Sequence, residues 1–134
     1  MKKEELPKII PIFPLTNFII FPKSTVPLNI FEPRYIQMID ESMKGKRLIG
    51  ITQPKKYRKL IKPDLYNIGC IGKITSFNET EDGRYLIILN GICRFTIINE
   101  IKNNKLYREC EVNYNNYIND LSDTSKNVNF SNLN

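Results

Sequence analysis

The chain has 134 residues, a formal net charge of +6 and 41% hydrophobic residues, enough for one folded domain that needs neither metal nor disulfide to close its core. It holds 21 isoleucines but no alanine, histidine or tryptophan, which favours a sheet over a helical bundle and removes Ser-His-Asp and Cys-His catalysis along with the commonest zinc ligand. The charge is uneven, with 13 Lys/Arg against 5 Asp/Glu in residues 1–62 and 7 against 9 in residues 63–134.

Residues 1–8 form a charged lead-in without the smooth apolar stretch of a leader peptide, and no apolar run approaches a membrane span, so a cytoplasmic location is the expectation. Residues 9–21 read as two short extended pieces, because Pro11, Pro14 and Pro22 forbid a helix. Val26, Leu28 and Ile30 alternate with Pro27, Asn29 and Phe31 as a strand, and Pro27 within it argues for an edge or a bulge. Pro33 then opens a helix over 33–44, with Ile36, Ile39 and Met43 on its apolar face, Tyr35 and Met38 flanking, and Gly45 as a left-handed stop. A short apolar strand at 48–52 leads into a basic loop at 53–66, and a strand at 68–77 is interrupted by Gly69 and Gly72. Asp82-Gly83 marks a hairpin, and Asn90-Gly91 reads as punctuation between two further β runs. After the Asn103-Asn104 turn, 107–114 alternates once more. The polar stretch from Asn119 reads as a flexible tail. Many short strands with one main helix describe a mostly β, α+β chain: a small antiparallel or mixed barrel. Cys70, Cys93 and Cys110 are odd in number and sit in apolar runs, so they read as buried hydrophobes rather than metal ligands or a disulfide framework.

The motifs resemble those of the Lon protease N-terminal, substrate-binding domain. Ile10-Pro11-Ile12-Phe13-Pro14-Leu15 is similar to that family's first strand, and Phe21-Pro22 followed by residues 26–35, ending Phe31-Glu32-Pro33-Arg34-Tyr35, is similar to its signature. Residues 65–74 resemble its "VGT-x-A-x-I" strand, with Cys70 for Thr and Gly72 for Ala. Asp82-Gly83-Arg84 and Gly91-Ile92-Cys93-Arg94-Phe95 resemble its "DGR" hairpin and "GxxRF" strand. The resemblance spans residues 9–118 and implies a PUA-like barrel flanked by the lead-in at 1–8 and the tail at 119–134. It further implies a short stand-alone member, non-catalytic and without cofactor, that binds unfolded or tagged polypeptides beside a possible protease partner, as a monomer or weak dimer. No phosphate loop of the G-x-x-x-x-G-K-[ST] type occurs, so neither the ATPase nor the protease module is expected.

Polypeptide capture needs exposed apolar surface beside a few charges. Phe18, Ile19 and Phe21 qualify, since a run of four apolar residues at 18–21 cannot bury both faces of an uncovered strand; Glu32, Arg34 and Tyr35 at the helix start complete the set. The same three have an architectural reading, with Arg34 paired to Glu32 and Tyr35 filling the barrel end, and Arg94 likewise reads as an ion-pair partner. A second reading is nucleic-acid binding through Lys55, Lys56, Tyr57, Arg58, Lys59 and Lys62, basic residues around an aromatic. The carboxylates Glu79, Glu81, Asp82, Glu109 and Glu111 lie at a hairpin tip or on a strand face expected to be exposed, which does not favour general-acid chemistry.

Overall fold

The computed structural model describes residues 1–16, 19–55 and 64–122. Six strands and one α-helix follow in chain order: β1 (Ile9–Pro14), β2 (Thr25–Ile30), α1 (Pro33–Lys44), β3 (Leu48–Thr52), β4 (Ile68–Glu79), β5 (Tyr85–Ile101) and β6 (Arg108–Asn113). A 3-10 segment occupies Lys3–Glu5, and two 3-10 turns that meet across a kink at Tyr117 occupy Asn115–Leu121. The sheet order is β2-β5-β4-β3-β1-β6, and a further pairing of β6 with β5 closes a ring. Five strands therefore close on themselves, while β2 hangs outside on the first half of the long β5. Closure removes the free edges of those five strands and leaves only the outer side of β2 as an edge among the described strands. The sheet is mixed, since β1 and β3 run parallel and the other pairs antiparallel.

Pro27 sits on β2, the strand outside the closed ring, where a missing N–H breaks no ladder. Helix α1 occupies 33–44 as its Pro33 start suggests, but its buried face is centred on Tyr35, Met38 and Ile39, with Ile36 and Met43 only partly covered. Gly45 is not the left-handed stop: its φ is −111°, and the positive φ of 63° falls on Arg47. The Asp-Gly hairpin is present, with Gly83 at φ 85°. Asn90-Gly91, by contrast, interrupts nothing, because β5 runs unbroken through both.

The core lies in two parts, one beneath α1 and one inside the closed ring. Phe95 is fully buried at the centre of the second. Its ring approaches so closely that a Cβ on Gly69 would lie 2.6 Å from its Cζ, and one on Gly50 would lie 3.1 Å from its Cε2. Glycines on β3 and β4 thus leave room for an aromatic ring. All three cysteines are buried thiols. Burial pushes the Cys70 thiol up to about 12 and the Cys93 thiol up to about 11, so both stay protonated at neutral pH. No α-helix among the described residues is long and apolar enough to cross a membrane.

Candidate functional site

The turn at 21–24 begins the site. Pro22 supplies the fixed φ of its second position and Lys23 the positive φ, 66°, of its third. The Ser24 hydroxyl donates to the Phe21 carbonyl at 2.5 Å and accepts from the Phe21 N–H at 3.1 Å. The turn is seated on Gly91, where Lys23 N–H donates to the Gly91 carbonyl at 2.8 Å and Gly91 N–H to the Ser24 carbonyl at 2.9 Å. A side chain at 91 would collide with the Phe21 carbonyl, which explains the glycine there without any turn in β5. With Ile20 buried at 5% exposure, Ile19 and Phe21 are left 61% and 59% exposed.

These two line an apolar groove of about 350 Å³ with Tyr66 and Ile68, themselves 48% and 52% exposed. Its floor comes from Ile51, Thr52, Gly69 and Cys70, and the buried Thr52 hydroxyl lies 3.2 Å from the Tyr66 carbonyl and 3.1 Å from that of Ile68. Thr52 thereby ties the end of β3 to the chain entering β4. Arg94 is the one charged residue lining the groove among the described residues. Asp120 accepts from Arg94 three times, from its backbone N–H at 2.9 Å, Nε at 3.0 Å and Nη2 at 2.9 Å. The Arg94 guanidinium also lies 4.7 Å from the centre of the Tyr117 ring. These hydrogen bonds hold the Asp120 carboxyl below its ordinary range. Residues 119–122, read as part of a tail, are thus bound to β5 at Asp120, and the 3-10 segment extends to Leu121. The ion-pair reading of Arg94 is observed.

Glu32, Arg34 and Tyr35 line a different and larger groove, of about 1140 Å³, between the ends of β1 and β2, the start of α1 and the segment 100–108. Its charges are largely matched internally. Glu32 accepts from Arg34 at 3.0 Å, the guanidinium lies 4.8 Å from the Tyr35 ring centre, and that ring packs on Phe13 at 4.3 Å. Tyr35 is 7% exposed, and burial raises its pKa. Opposite, Arg108 pairs with Glu100 at 2.7 Å and Lys105 with Glu109 at 3.0 Å. The Glu109 side chain is only 16% exposed, so it does not stand on an open strand face. The sequence-selected residues are therefore divided between two grooves, and Tyr66, Ile68 and Arg94 join the apolar one. Phe18 and the basic residues Lys56, Tyr57, Arg58, Lys59 and Lys62 lie outside the described residues; Lys55 is described, its N–H donating to the Asp64 carbonyl at 2.8 Å.

Comparison with known proteins agrees with this architecture. Residues 9–133 match the family model described as the ATP-dependent protease La (LON) substrate-binding domain. A Lon protease of Parabacteroides distasonis is 35% identical over 96 residues, covering 70% of this chain, and one of Desulfosudis oleivorans is 33% identical over 102 residues, covering 74%. Each match takes in 12% of the relative's own length, so this chain spans about an eighth of those proteins. The Lon N-terminal domain protein from Xanthomonas campestris superposes with a TM-score of 0.65 at 23% identity, covering 79% of this chain and 59% of that one. The N-terminal domain of Mycobacterium avium complex Lon protease gives 0.63 at 19% identity, covering 80% and 54%. With a closed β ring, one main helix and a family match over nearly all its length, this chain belongs to the Lon substrate-binding domain family.

Proposed function

We propose that this chain is a non-catalytic module that captures unfolded polypeptide segments in the groove formed by Ile19, Phe21, Tyr66 and Ile68. The observation that carries the reading is that four large side chains are each about half exposed or more around one apolar slot, on a backbone fixed by the Gly91 and Thr52 contacts. Such exposure is costly in water and is recovered when an apolar segment covers it. Covering these partly exposed groups contributes on the order of 1 kcal/mol each, and the cost of association offsets part of that gain, which keeps the affinity in a weak range. That weak, sequence-tolerant range suits a module that samples many clients. No reaction is assigned to it, since the Cys70 and Cys93 thiols are shifted away from nucleophilic character. Capture by β-strand addition is disfavoured by Pro27 on the outer strand.

Fluorescence anisotropy with a labelled, reduced and alkylated protein tests the reading. Binding is expected for the unfolded probe and not for its folded parent, and the double substitution Ile19→Ser/Phe21→Ser should weaken it about tenfold or more, as expected for loss of more than about 1.4 kcal/mol. Unchanged affinity in that double variant overturns the assignment. So does salt-sensitive binding of an RNA oligomer with no binding of the unfolded protein, which would select the basic residues at 55–62 instead.

A further inference from the structure

The apolar groove ends at a charged residue whose charge is already matched, and this narrows what the groove accepts. Arg94 presents three nitrogens. Nε and Nη2 are committed to the two oxygens of Asp120, and Nη1 has no hydrogen-bond partner among the described residues. The Arg94 side chain is 48% exposed whereas that of Asp120 is 10% exposed, so the cation faces the groove and its counter-ion sits behind it. The fork to Asp120 and the stack on Tyr117 fix the plane of the guanidinium before any ligand arrives. Preorganised in this way, Arg94 can donate at little entropic cost. Because Asp120 cancels its charge, it gains little from a carboxylate but still satisfies a neutral acceptor.

Building on the capture reading above, we infer that Arg94 is a specificity-determining residue: its Nη1 donates to a backbone carbonyl of an extended, uncharged polypeptide segment whose apolar side chain fills the slot between Phe21 and Ile68. Asp120 is the positioning residue that keeps Arg94 selective for a carbonyl rather than a carboxylate. A peptide carbonyl buried beside the apolar walls would otherwise lose its hydrogen bond to water, so a fixed donor at the slot's end removes that penalty. The pairing makes the groove a reader of main chain plus apolar side chain, a combination offered by unfolded segments and hidden in folded ones.

The test uses capped peptides carrying one phenylalanine, with Gln or Glu beside it, and an ester analogue that replaces one backbone amide and weakens its carbonyl as an acceptor. Affinities are measured for the unsubstituted chain, Arg94→Gln and Asp120→Asn. Arg94→Gln is expected to weaken the amide peptide about fivefold and to leave one member of an ester scan unaffected, as a coupled pair requires. Asp120→Asn is expected to raise the preference for Glu over Gln at least threefold above that of the unsubstituted chain, with the increase shrinking as salt rises. The basic residues at 55–62 are common to all these proteins and cancel in that ratio. An unaltered ratio in Asp120→Asn, or equal losses for amide and ester in Arg94→Gln, overturns the assignment of Arg94 while leaving capture intact. Should Asp120→Asn fold poorly, the ester scan against Arg94→Gln decides alone. If no peptide binds the unsubstituted chain, both the capture reading and this inference fall.

Discussion

Replacing Gly91 by alanine separates the scaffold from the groove it supports. A methyl group at this position would overlap the Phe21 carbonyl oxygen and approach Ile20 Cγ1 to 3.4 Å, and the first of these neighbours is backbone that cannot rotate away. The turn at 21–24 must therefore lift off β5. It is held there by two backbone hydrogen bonds, Lys23 N–H to the Gly91 carbonyl and Gly91 N–H to the Ser24 carbonyl. At about 0.5–1.5 kcal/mol each, their loss costs roughly 1–3 kcal/mol. For a domain this size that corresponds to a fall in Tm of roughly 4–12 °C. The closed ring formed by β1, β3, β4, β5 and β6 does not depend on the turn, so the variant should remain folded, with the amide resonances of its core preserved. Phe21 should move out of register with Ile68, and binding of an unfolded polypeptide should fall about tenfold. Thermal melting by circular dichroism and anisotropy on the same sample provide both readings. A variant that melts within 1 °C of the parent (a margin equal to about 0.3 kcal/mol) and binds as well would refute the seating of this turn on Gly91.

Other substitutions probe other links. The Asp120 carboxyl is held low by its hydrogen bonds to Arg94, so its stabilising contribution is present above the ordinary carboxylate pKa of about 4 and lost as pH falls through the depressed folded value. Urea midpoints of the parent and Asp120→Asn should accordingly converge below about pH 4 and separate at neutral pH, and a constant gap would contradict the pairing. Phe95→Ala should cost about 3–5 kcal/mol in denaturant unfolding, because the two glycines that admit the ring leave a cavity when it goes; a loss below about 1 kcal/mol would show that the core collapses onto them. Lys23→Val should cost about 1–2 kcal/mol at its positive φ whereas Lys23→Gly should be close to neutral, and equal effects would argue against a left-handed residue there.

Local chemistry made much of the fold readable. Pro33 marks the start of α1, Pro27 marks a strand outside the ring, and Asp82-Gly83 marks a hairpin, because each of these residues restricts or frees its own backbone. Gly91 was misleading for the same reason: a glycine that admits a crossing chain looks, in one letter, like a glycine that makes a turn. The positive φ after α1 went to Arg47 rather than Gly45, since hydrogen bonds from both Gly45 and Arg47 to the Ser42 carbonyl shape that exit. Asp120 was hidden in a polar stretch, its role created by an ion pair 26 residues distant in sequence. Within the site, Ile19 and Phe21 were legible because a run of apolar residues has two faces and only Ile20 finds cover. Tyr66 and Ile68 carry the same period-two signal at the entry to β4, but only the closed sheet brings them beside residues 19 and 21. The separation of Glu32, Arg34 and Tyr35 into another groove is likewise a product of topology, because the sequence places them only 11 to 14 residues from Phe21.

Position-specific photocrosslinking tests the central claim most directly. A photoreactive phenylalanine analogue is placed at Phe21 in the apolar groove, or at Leu86, which is 43% exposed on β5 beside the outer strand and lines neither groove described above. On irradiation with an unfolded polypeptide, the account predicts an adduct from position 21 that free apolar peptide competes away, with little adduct from position 86. Equal labelling from both positions, or labelling from 86 alone, would contradict it.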